Sequence, residues 1–355
     1  MTELVIWAQS VCRSTMSLYR EVKRQCGCPV LVVVRQSKHG EAARQVREKQ
    51  GQSANAYSDV VDFVWDGKIG TGMALLKAHS DVGAVHVFSG YQVSAAVRQL
   101  ICEAHVRGLK TAVYDEAPCP VCVGLKALAK RIYYRWVLPL KVRQVTKAAD
   151  LFLSASGGYC EKELIRLGWA KEKIIPFGYA SEVGQACLKD GIRLKNGRGD
   201  GPLHVLHTGI ESEYRDVETL KRAMEMLGEC GVRAELRCTG GGVSTDELTQ
   251  LFEWADVFVA CGLCEPWGMR VNDAIHAGLP VVVSDGMGVA GLVKEFGCGC
   301  VYGKGNAREL ADALTKMATG DDGFLRALES GVARAHAAYA PEARARVFLK
   351  CVMAR

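Results

Sequence analysis

The 355-residue sequence contains no apolar run approaching the ~20 residues that a membrane-spanning helix requires. The N-terminal stretch Met1–Trp7 has no basic residues before its short apolar run, so it does not resemble a signal peptide. The sequence also lacks internal repeats, low-complexity tracts and recognisable RNA- or DNA-binding motifs. These absences predict a cytoplasmic protein that does not bind nucleic acid.

Positively charged residues are in only small excess over negatively charged ones. Forty-five Lys and Arg residues face 39 Asp and Glu residues, which gives a net charge of +6 and a pI of about 8.6. Such an excess favours an anionic ligand or an anionic membrane surface. A composition of 49% hydrophobic and 24% charged residues is typical of a globular protein, and the length suffices for two domains.

The 15 cysteines do not form a recognisable disulfide or metal framework, because their number is odd and they are scattered along the chain. Cys119 and Cys122 form a CxxC pair that could be half of a zinc site or a redox pair. Structural zinc needs four ligands at fixed spacing, and no second pair lies at a suitable distance. We therefore predict no metal site and interpret the cysteines as small buried hydrophobic residues.

Short apolar runs alternate with longer helical segments throughout the chain, which predicts an α/β protein with doubly wound parallel sheets. The strands predicted in the first half are Leu4–Ala8, Val30–Val34, Val61–Val64, Ala84–Phe88, Thr111–Tyr114, Leu151–Ser154 and Ile174–Phe177. Those predicted in the second half are Leu203–His207, Ala234–Thr239, Val257–Ala260, Pro280–Ser284 and Cys300–Tyr302.

A Gly-rich and basic stretch between Ser181 and Pro202 has linker composition and separates the two series of strands. We predict one Rossmann-like domain over residues 1–183 and a second over residues 184–338. Residues 339–355 are predicted to form a helix that returns to the first domain. Two doubly wound domains joined once should enclose a cleft, with ligands bound at the carboxyl ends of the strands.

Residues 261–288, CGLCEPWGMRVNDAIHAGLPVVVSDGMG, combine a loop, a helix and a strand. Pro and Gly mark 265–268 as a loop, and a helix is predicted over Met269–Ala277. A helix N-terminus carries unsatisfied N–H groups and a partial positive charge, so it is suited to binding phosphate. Glu265 and Asp273 lie beside it, and carboxylates bind hydroxyl groups. The motif therefore predicts recognition of a nucleotide-sugar.

The same residues resemble the retaining glycosyltransferases of family four, in the glycogen-synthase-like group, which have the GT-B fold. In that family two Glu residues eight positions apart bracket the loop and the helix, and here the pair is Glu265 and Asp273. Residues 171–182, 206–227 and 251–262 look like other segments of the family in the expected order. The resemblance implies two Rossmann-like domains facing a central cleft, the first binding the acceptor and the second the nucleotide-sugar.

Three features depart from the family pattern. Ile210 follows Gly209 where the family usually has Arg, and Arg215 stands where it usually has Lys. Arg can still form a fork to phosphate oxygens. Residues 240–245 alone separate two predicted elements between which the family normally has an extra helix and strand that contact the base.

The resemblance implies a role in catalysis for Glu265, whose carboxylate would bind sugar hydroxyls, and for Arg215, which would face the diphosphate. Arg215 could instead pair with the nearby Glu211 and Glu213. Gly268 would let the backbone approach the diphosphate. The full set of residues predicted to contact the nucleotide-sugar is Gly209, Arg215, Trp267, Gly268, Met269 and Asp273.

The first domain offers a third candidate catalytic residue, Glu116. With Asp115 it follows a predicted strand, at an end where a carboxylate could orient an acceptor hydroxyl. The alternative is that the two acids form a turn or capping pair. His86 lies within a predicted strand and is interpreted as a core residue.

Residues 124–150 combine basic residues with aromatic and aliphatic ones. The basic residues are Lys126, Lys130, Arg131, Arg135, Lys141, Arg143 and Lys147. Such a segment can lie peripherally on an anionic membrane. The alternative is a helix with one buried apolar face and one solvated basic face.

Taken together, the sequence predicts a retaining, metal-independent glycosyltransferase that uses a nucleotide-diphosphate sugar as donor and requires no cofactor. The acceptor is predicted to be a glycan or a lipid-linked hydroxyl, in the synthesis of a bacterial cell-surface polysaccharide such as lipopolysaccharide. The predicted location is the cytoplasm, with contact to the inner face of the cell membrane. Two alternatives are a nucleotide-sugar epimerase of the same fold and a non-catalytic scaffold that binds a nucleotide-sugar.

Overall fold

In the computed structural model the described residues are 2–36, 54–119, 125–157, 160–181, 201–209, 214–240 and 243–354. They divide into two compact units. The first comprises the described parts of Met1–Pro120, Gly124–Ala180 and Pro341–Arg355, and the second comprises those of Ser181–Ala340.

A seven-stranded parallel sheet forms the centre of the first unit. Its strands are β1 (Leu4–Ala8), β2 (Val30–Arg35), β3 (Phe63–Trp65), β4 (Val85–Phe88), β5 (Lys110–Asp115), β6 (Leu151–Ser154) and β7 (Ile174–Pro176). Their order is β3-β2-β1-β4-β5-β6-β7, and Leu4 pairs with Val30 on one side and with Val85 on the other. All seven predicted strands are confirmed, with ends that differ from the prediction by at most two residues.

Helices cover both faces of this sheet, so its strands are apolar at nearly every position. Val5 and Trp7 join one hydrophobic cluster, while Leu4, Ile6 and Ala8 join another. The helices are α1 (Arg13–Gln25), α2 (Ile69–Ala78), α3 (Ala95–Val106), α4 (Leu125–Ile132), α5 (Leu138–Ala148) and α6 (Cys160–Arg166), with a π-helical turn at Tyr133–Val137 between α4 and α5.

A five-stranded parallel sheet forms the centre of the second unit. Its strands are β8 (Leu203–Thr208), β9 (Ala234–Thr239), β10 (Val257–Ala260), β11 (Val281–Ser284) and β12 (Gly299–Tyr302), in the order β12-β11-β10-β8-β9. The five strands predicted for this half are confirmed. The helices are α7 (Val217–Glu229), α8 (Thr245–Trp254), α9 (Met269–His276), α10 (Ala290–Phe296), α11 (Ala307–Thr319) and α12 (Asp322–Tyr339).

The last helix, α13 (Pro341–Met353), belongs to the first unit. Phe348 is buried there, with its ring 6.4 Å from that of Tyr19 on α1. Arg344 donates a hydrogen bond of 2.5 Å to the carbonyl oxygen of Phe177. In the part of the chain that the structure describes, no helix is long and apolar enough to cross a membrane.

The strand order reverses once in each sheet, and each reversal marks a place where a ligand site is expected. In the first sheet the reversal lies between β1 and β4, and in the second between β8 and β10. In doubly wound sheets, ligands bind outside the carboxyl ends of the strands at such a reversal.

Candidate functional site

The loops that follow β8 and β10 emerge side by side, because these strands are parallel neighbours, with Phe258 paired to Leu206. One loop begins at Gly209, and the other carries Glu265 and Gly268 into α9. The backbone of Arg215 forms an isolated bridge with Gly262, which joins the two loops directly.

Arg215 places its guanidinium across the end of β8. Its Nη1 donates to the carbonyl oxygen of Thr208 at 3.2 Å, and its Nη2 lies 3.9 Å from Oε1 of Glu265. The position depends on Gly209, because a Cβ there would lie 1.5 Å from Nη1 of Arg215. Glycine at 209 therefore leaves the space that the guanidinium fills.

Two backbone hydrogen bonds fix the position of Glu265 in its loop. Its N–H donates to the carbonyl oxygen of Gly286 at 3.0 Å, and its carbonyl oxygen accepts from the N–H of Gly288 at 2.9 Å. Burial raises the pKa of the Glu265 carboxyl above its ordinary value, and the positive charge of Arg215 opposes that rise. The loop thus fixes a partly buried carboxylate beside a cation.

Gly268 begins α9 in a left-handed conformation, with φ of +114°. A Cβ at this position would lie 2.6 Å from Cε of Met287, so glycine is required by both conformation and space. Gly268 has no side chain, so no N-cap side chain satisfies the first N–H groups of α9. The N-terminus of this helix retains the partial positive charge that suits an anion.

These features meet at a small cavity of about 20 Å³. Its walls include Thr208, Arg215, Glu265, Gly268 and Arg270. Three residues singled out from the sequence, Arg215, Glu265 and Gly268, are therefore brought together in one place.

Arg270 is a member of the site that the sequence reasoning missed. It lies in the first turn of α9, lines the cavity, and places Nη1 3.0 Å from Oδ2 of Asp273. A cation in the first turn of a helix opposes the helix dipole. That unfavourable position is the signal in the sequence that could have identified Arg270.

His207 is a second residue that was missed, because it reads as part of a strand. Its side chain is buried beside the cavity, and its Nδ1 lies 2.9 Å from the carbonyl oxygen of Val259. Burial and the charge of Arg215 lower the pKa of His207, so its ring is neutral. Nδ1 then carries the proton, and Nε2, which has no partner among the described residues, is an acceptor.

Four of the predicted contacts lie outside the walls of this cavity, and one of them is Gly209, which directly follows β8. Trp267 is buried, with Nε1 donating to Oδ1 of Asn272 at 3.3 Å. Met269 is 38% exposed. Asp273 is buried and accepts a hydrogen bond of 2.7 Å from Oγ of Ser181. A donor contact for each of Gly209, Trp267, Met269 and Asp273 stays a prediction.

The acids of the first unit lie at the carboxyl end of β5. Asp115 accepts hydrogen bonds from the N–H groups of Gly90 at 2.8 Å and of Glu116 at 2.9 Å, which is the geometry of a turn acid. Burial raises the pKa of Asp115 to about 6. Oε1 of Glu116 accepts from the hydroxyl of Tyr179 at 2.9 Å. His86 is fully buried and hydrogen-bonded to Trp7, so its interpretation as a core residue is confirmed.

Several residues weighed in the sequence lie outside the described part of the chain: Cys122, Ile210, Glu211 and Glu213. Among the residues that the structure does describe, no group of three or more His, Cys, Asp or Glu side chains is placed to hold a metal ion.

Comparison with known proteins gives a family match over the second half of the chain. Residues 203–328 match the family model described as Glycosyl transferases group 1. Sulfoquinovosyl transferase SQD2 of Arabidopsis thaliana is 31% identical over 200 residues, which span 50% of this chain and 39% of that protein. The match thus covers well under half of the length of this curated relative.

Solved structures share the architecture over nearly the whole chain. HepE of Anabaena, crystallised with UDP and glucose, superposes with a TM-score of 0.63 at 12% identity, covering 99% of both chains. The lipopolysaccharide outer core galactosyltransferase WaaB superposes with a TM-score of 0.62 at 10% identity, again covering 99% of both chains. The chain has the GT-B fold of these glycosyltransferases. Residues 203–328 match the glycosyl transferases of group 1, which confirms the resemblance seen in the sequence.

Proposed function

We propose that the protein transfers a sugar from a nucleotide-diphosphate donor to a hydroxyl group, with retention of the anomeric configuration. The observation that supports this most strongly is the convergence of Arg215, Glu265 and the N-terminus of α9 on one cavity. That cavity lies at the strand-order reversal and is built within the segment that matches the family.

The positive groups of the cavity suit a diphosphate. Arg215 and Arg270 contribute two guanidinium groups, and the N-terminus of α9 contributes oriented N–H groups. Arg270 supplies a second cation in a sequence that has Ile210 where relatives usually have Arg. We assign the diphosphate to these three elements.

Glu265 binds hydroxyl groups of the donor sugar in this proposal. A carboxylate accepts stronger hydrogen bonds from hydroxyl groups than a neutral amide does. As the bond to the leaving group breaks, negative charge accumulates on the diphosphate, where Arg215 and Arg270 stabilise it. The leaving diphosphate takes the acceptor proton on the face it departs from, so no protein nucleophile and no metal ion is needed.

The donor and acceptor are proposed by chemical class. HepE was crystallised with UDP and glucose, so a UDP-hexose is the first donor to test. The acceptor is a glycan or lipid-linked hydroxyl in the assembly of a bacterial surface polysaccharide, and WaaB is a lipopolysaccharide galactosyltransferase. Glu116, at the carboxyl end of β5, is proposed to orient the acceptor hydroxyl.

The test is release of nucleoside diphosphate from a panel of nucleotide-sugars, with Glu265→Gln as the diagnostic variant. We expect the variant to remain folded and to lose activity by about a hundredfold or more, the cost typical of a lost transition-state contact. Glu295→Gln, which alters an exposed Glu on α10, is the matched control and should retain full activity.

Unchanged turnover of Glu265→Gln at saturating donor would remove Glu265 from the site. Conversion of the donor sugar into its epimer in the absence of any acceptor would instead identify a nucleotide-sugar epimerase. Donor binding without either reaction would identify a scaffold.

A further inference from the structure

The helical run from residue 128 to residue 148 carries an apolar face that packs against the core of the first unit. It comprises the end of α4, the π-helical turn and α5. Leu138, Val142 and Val145 are buried in this core, and Tyr133 and Tyr134 pack against it. This face accounts for the amphipathic pattern of an ordinary surface helix.

A second apolar face remains exposed. Leu128, Ile132, Trp136 and Leu140 are exposed by 58%, 52%, 66% and 74% respectively. We call these four residues the exposed apolar row. They recur every four residues, and the wider π-helical turn counteracts the drift that this spacing has in an α-helix of 3.6 residues per turn.

The row differs from other exposed apolar residues of the first unit because it is contiguous. Val82, for example, is 98% exposed and lies in the loop between α2 and β4. Isolated exposed residues of this kind are normal in soluble proteins, whereas a contiguous patch marks an interaction surface.

The charge around the row has one sign. From residue 117 to residue 149 the sequence contains seven Lys and Arg and no Asp or Glu. Removing these seven from the total of 45 leaves 38 basic residues against 39 acidic ones, so this segment carries the entire net positive charge of the chain. Arg131, Arg135, Lys141, Arg143 and Lys147 are exposed.

We propose that the exposed apolar row and its flanking cations form a surface that docks on an anionic lipid membrane. Apolar side chains enter the boundary between head groups and acyl chains, while Lys and Arg contact the anionic head groups. Trp136 suits that boundary because its ring is apolar and its N–H is polar. The inference does not depend on the proposed function, since docking on a vesicle requires neither donor nor acceptor.

Trp136 provides a direct probe of docking. The sequence contains six tryptophans, and Trp7, Trp65, Trp169 and Trp267 are buried while Trp254 is partly buried. Vesicles that contain brominated acyl chains should therefore quench mainly Trp136. Trp136→Phe should abolish most of this quenching while the protein still sediments with the vesicles.

The binding test compares vesicles of phosphatidylcholine alone with vesicles of phosphatidylcholine and phosphatidylglycerol in equal parts. We expect the protein to sediment only with the anionic vesicles, and less as salt increases. Replacement of Arg131, Arg135 and Lys141 by Gln should weaken binding about fivefold for each residue, or on the order of a hundredfold together. The matched control replaces Lys221, Lys294 and Arg326, three exposed cations of the second unit, by Gln.

The apolar contribution is tested by replacing Leu128, Trp136 and Leu140 by Ser, which should weaken binding at least tenfold. Val82→Ser, at an exposed position outside this helical run, is the control and should bind as the wild type does. Because all these residues are exposed, the variants should fold, and their circular dichroism spectra check this.

Two results would overturn the proposal. One is the absence of sedimentation with anionic vesicles at low salt. The other is wild-type binding by the Ser variant together with loss of binding by the Gln variant, which would identify a general polyanion-binding surface, such as one for RNA, and not a membrane-docking surface.

Discussion

At the scale of single residues, the candidate site depends on one missing side chain. Gly209 directly follows β8, and the guanidinium of Arg215 occupies the space that a Cβ at position 209 would fill. The same guanidinium lies 3.9 Å from Glu265, whose pKa it lowers against the effect of burial. One glycine therefore controls the position of the cation and, through it, the charge of the neighbouring acid.

Gly209→Ala should weaken donor binding, because the added methyl group would displace Arg215 from the carbonyl oxygen of Thr208. Since the loss of one charge-assisted contact costs about 1.5–3 kcal/mol, we expect donor affinity to fall by roughly ten- to a hundredfold. Calorimetric titration with the donor measures this.

Gly228→Ala is the control for that experiment. Gly228 lies in α7, where an added Cβ would meet no atom within 4 Å, so the variant should bind the donor as the wild type does. Equal affinity of Gly209→Ala and wild type would show that Arg215 does not contact the donor.

At the scale of secondary-structure elements, strand ends are fixed by acids that bind the backbone of the neighbouring loop. Asp115 ends β5 and accepts from the N–H of Gly90, which follows β4. Burial raises its pKa from 3.8 to about 6. The folded protein therefore holds a proton on Asp115 at a pH where the unfolded chain releases it.

This shift predicts a pH dependence of stability. The contribution of the raised pKa is fully present below about pH 4 and is lost as pH rises through about 6. Asp115→Asn mimics the protonated form at every pH. Its melting temperature relative to that of the wild type should therefore rise between about pH 4 and about pH 7, corresponding to about 2 kcal/mol.

Thermal unfolding followed by circular dichroism measures the difference, with Asp81→Asn as control for the change of charge at an exposed site of the same unit. A difference between wild type and Asp115→Asn that is constant with pH would contradict the raised pKa of Asp115.

At the scale of the whole molecule, the mechanism makes a stereochemical prediction. If the leaving diphosphate takes the acceptor proton, the new bond forms on the face that the nucleotide leaves, and the product keeps the anomeric configuration of the donor. Arg215, Arg270 and the N-terminus of α9 should stabilise the diphosphate without a bridging metal, so activity should survive EDTA.

Proton NMR of the purified product reads the anomeric configuration through its coupling constant, for sugars in which that coupling is diagnostic. An inverted linkage would contradict retention. If EDTA abolished the activity and a divalent ion restored it, the proposal that the diphosphate is stabilised without a metal ion would be wrong.

The sequence by itself determined the two sheets and the central motif. All twelve strands were predicted, because buried parallel strands are continuous apolar runs bounded by Gly, Pro and polar residues. The loop at Glu265 and the start of α9 after Gly268 were also predicted. The signals for them, Pro and Gly followed by a helical pattern, are local in the sequence.

Only the tertiary structure decided which side chains share the cavity. Arg270 and Asp273 are three residues apart on one helix, yet Arg270 lines the cavity while Asp273 bonds Ser181, 92 residues away in the chain. Trp267 turns into the core, although its neighbour Gly268 lines the cavity. The reason is physical: a local pattern fixes the backbone conformation, whereas the direction and partners of a side chain depend on what distant elements bring beside it.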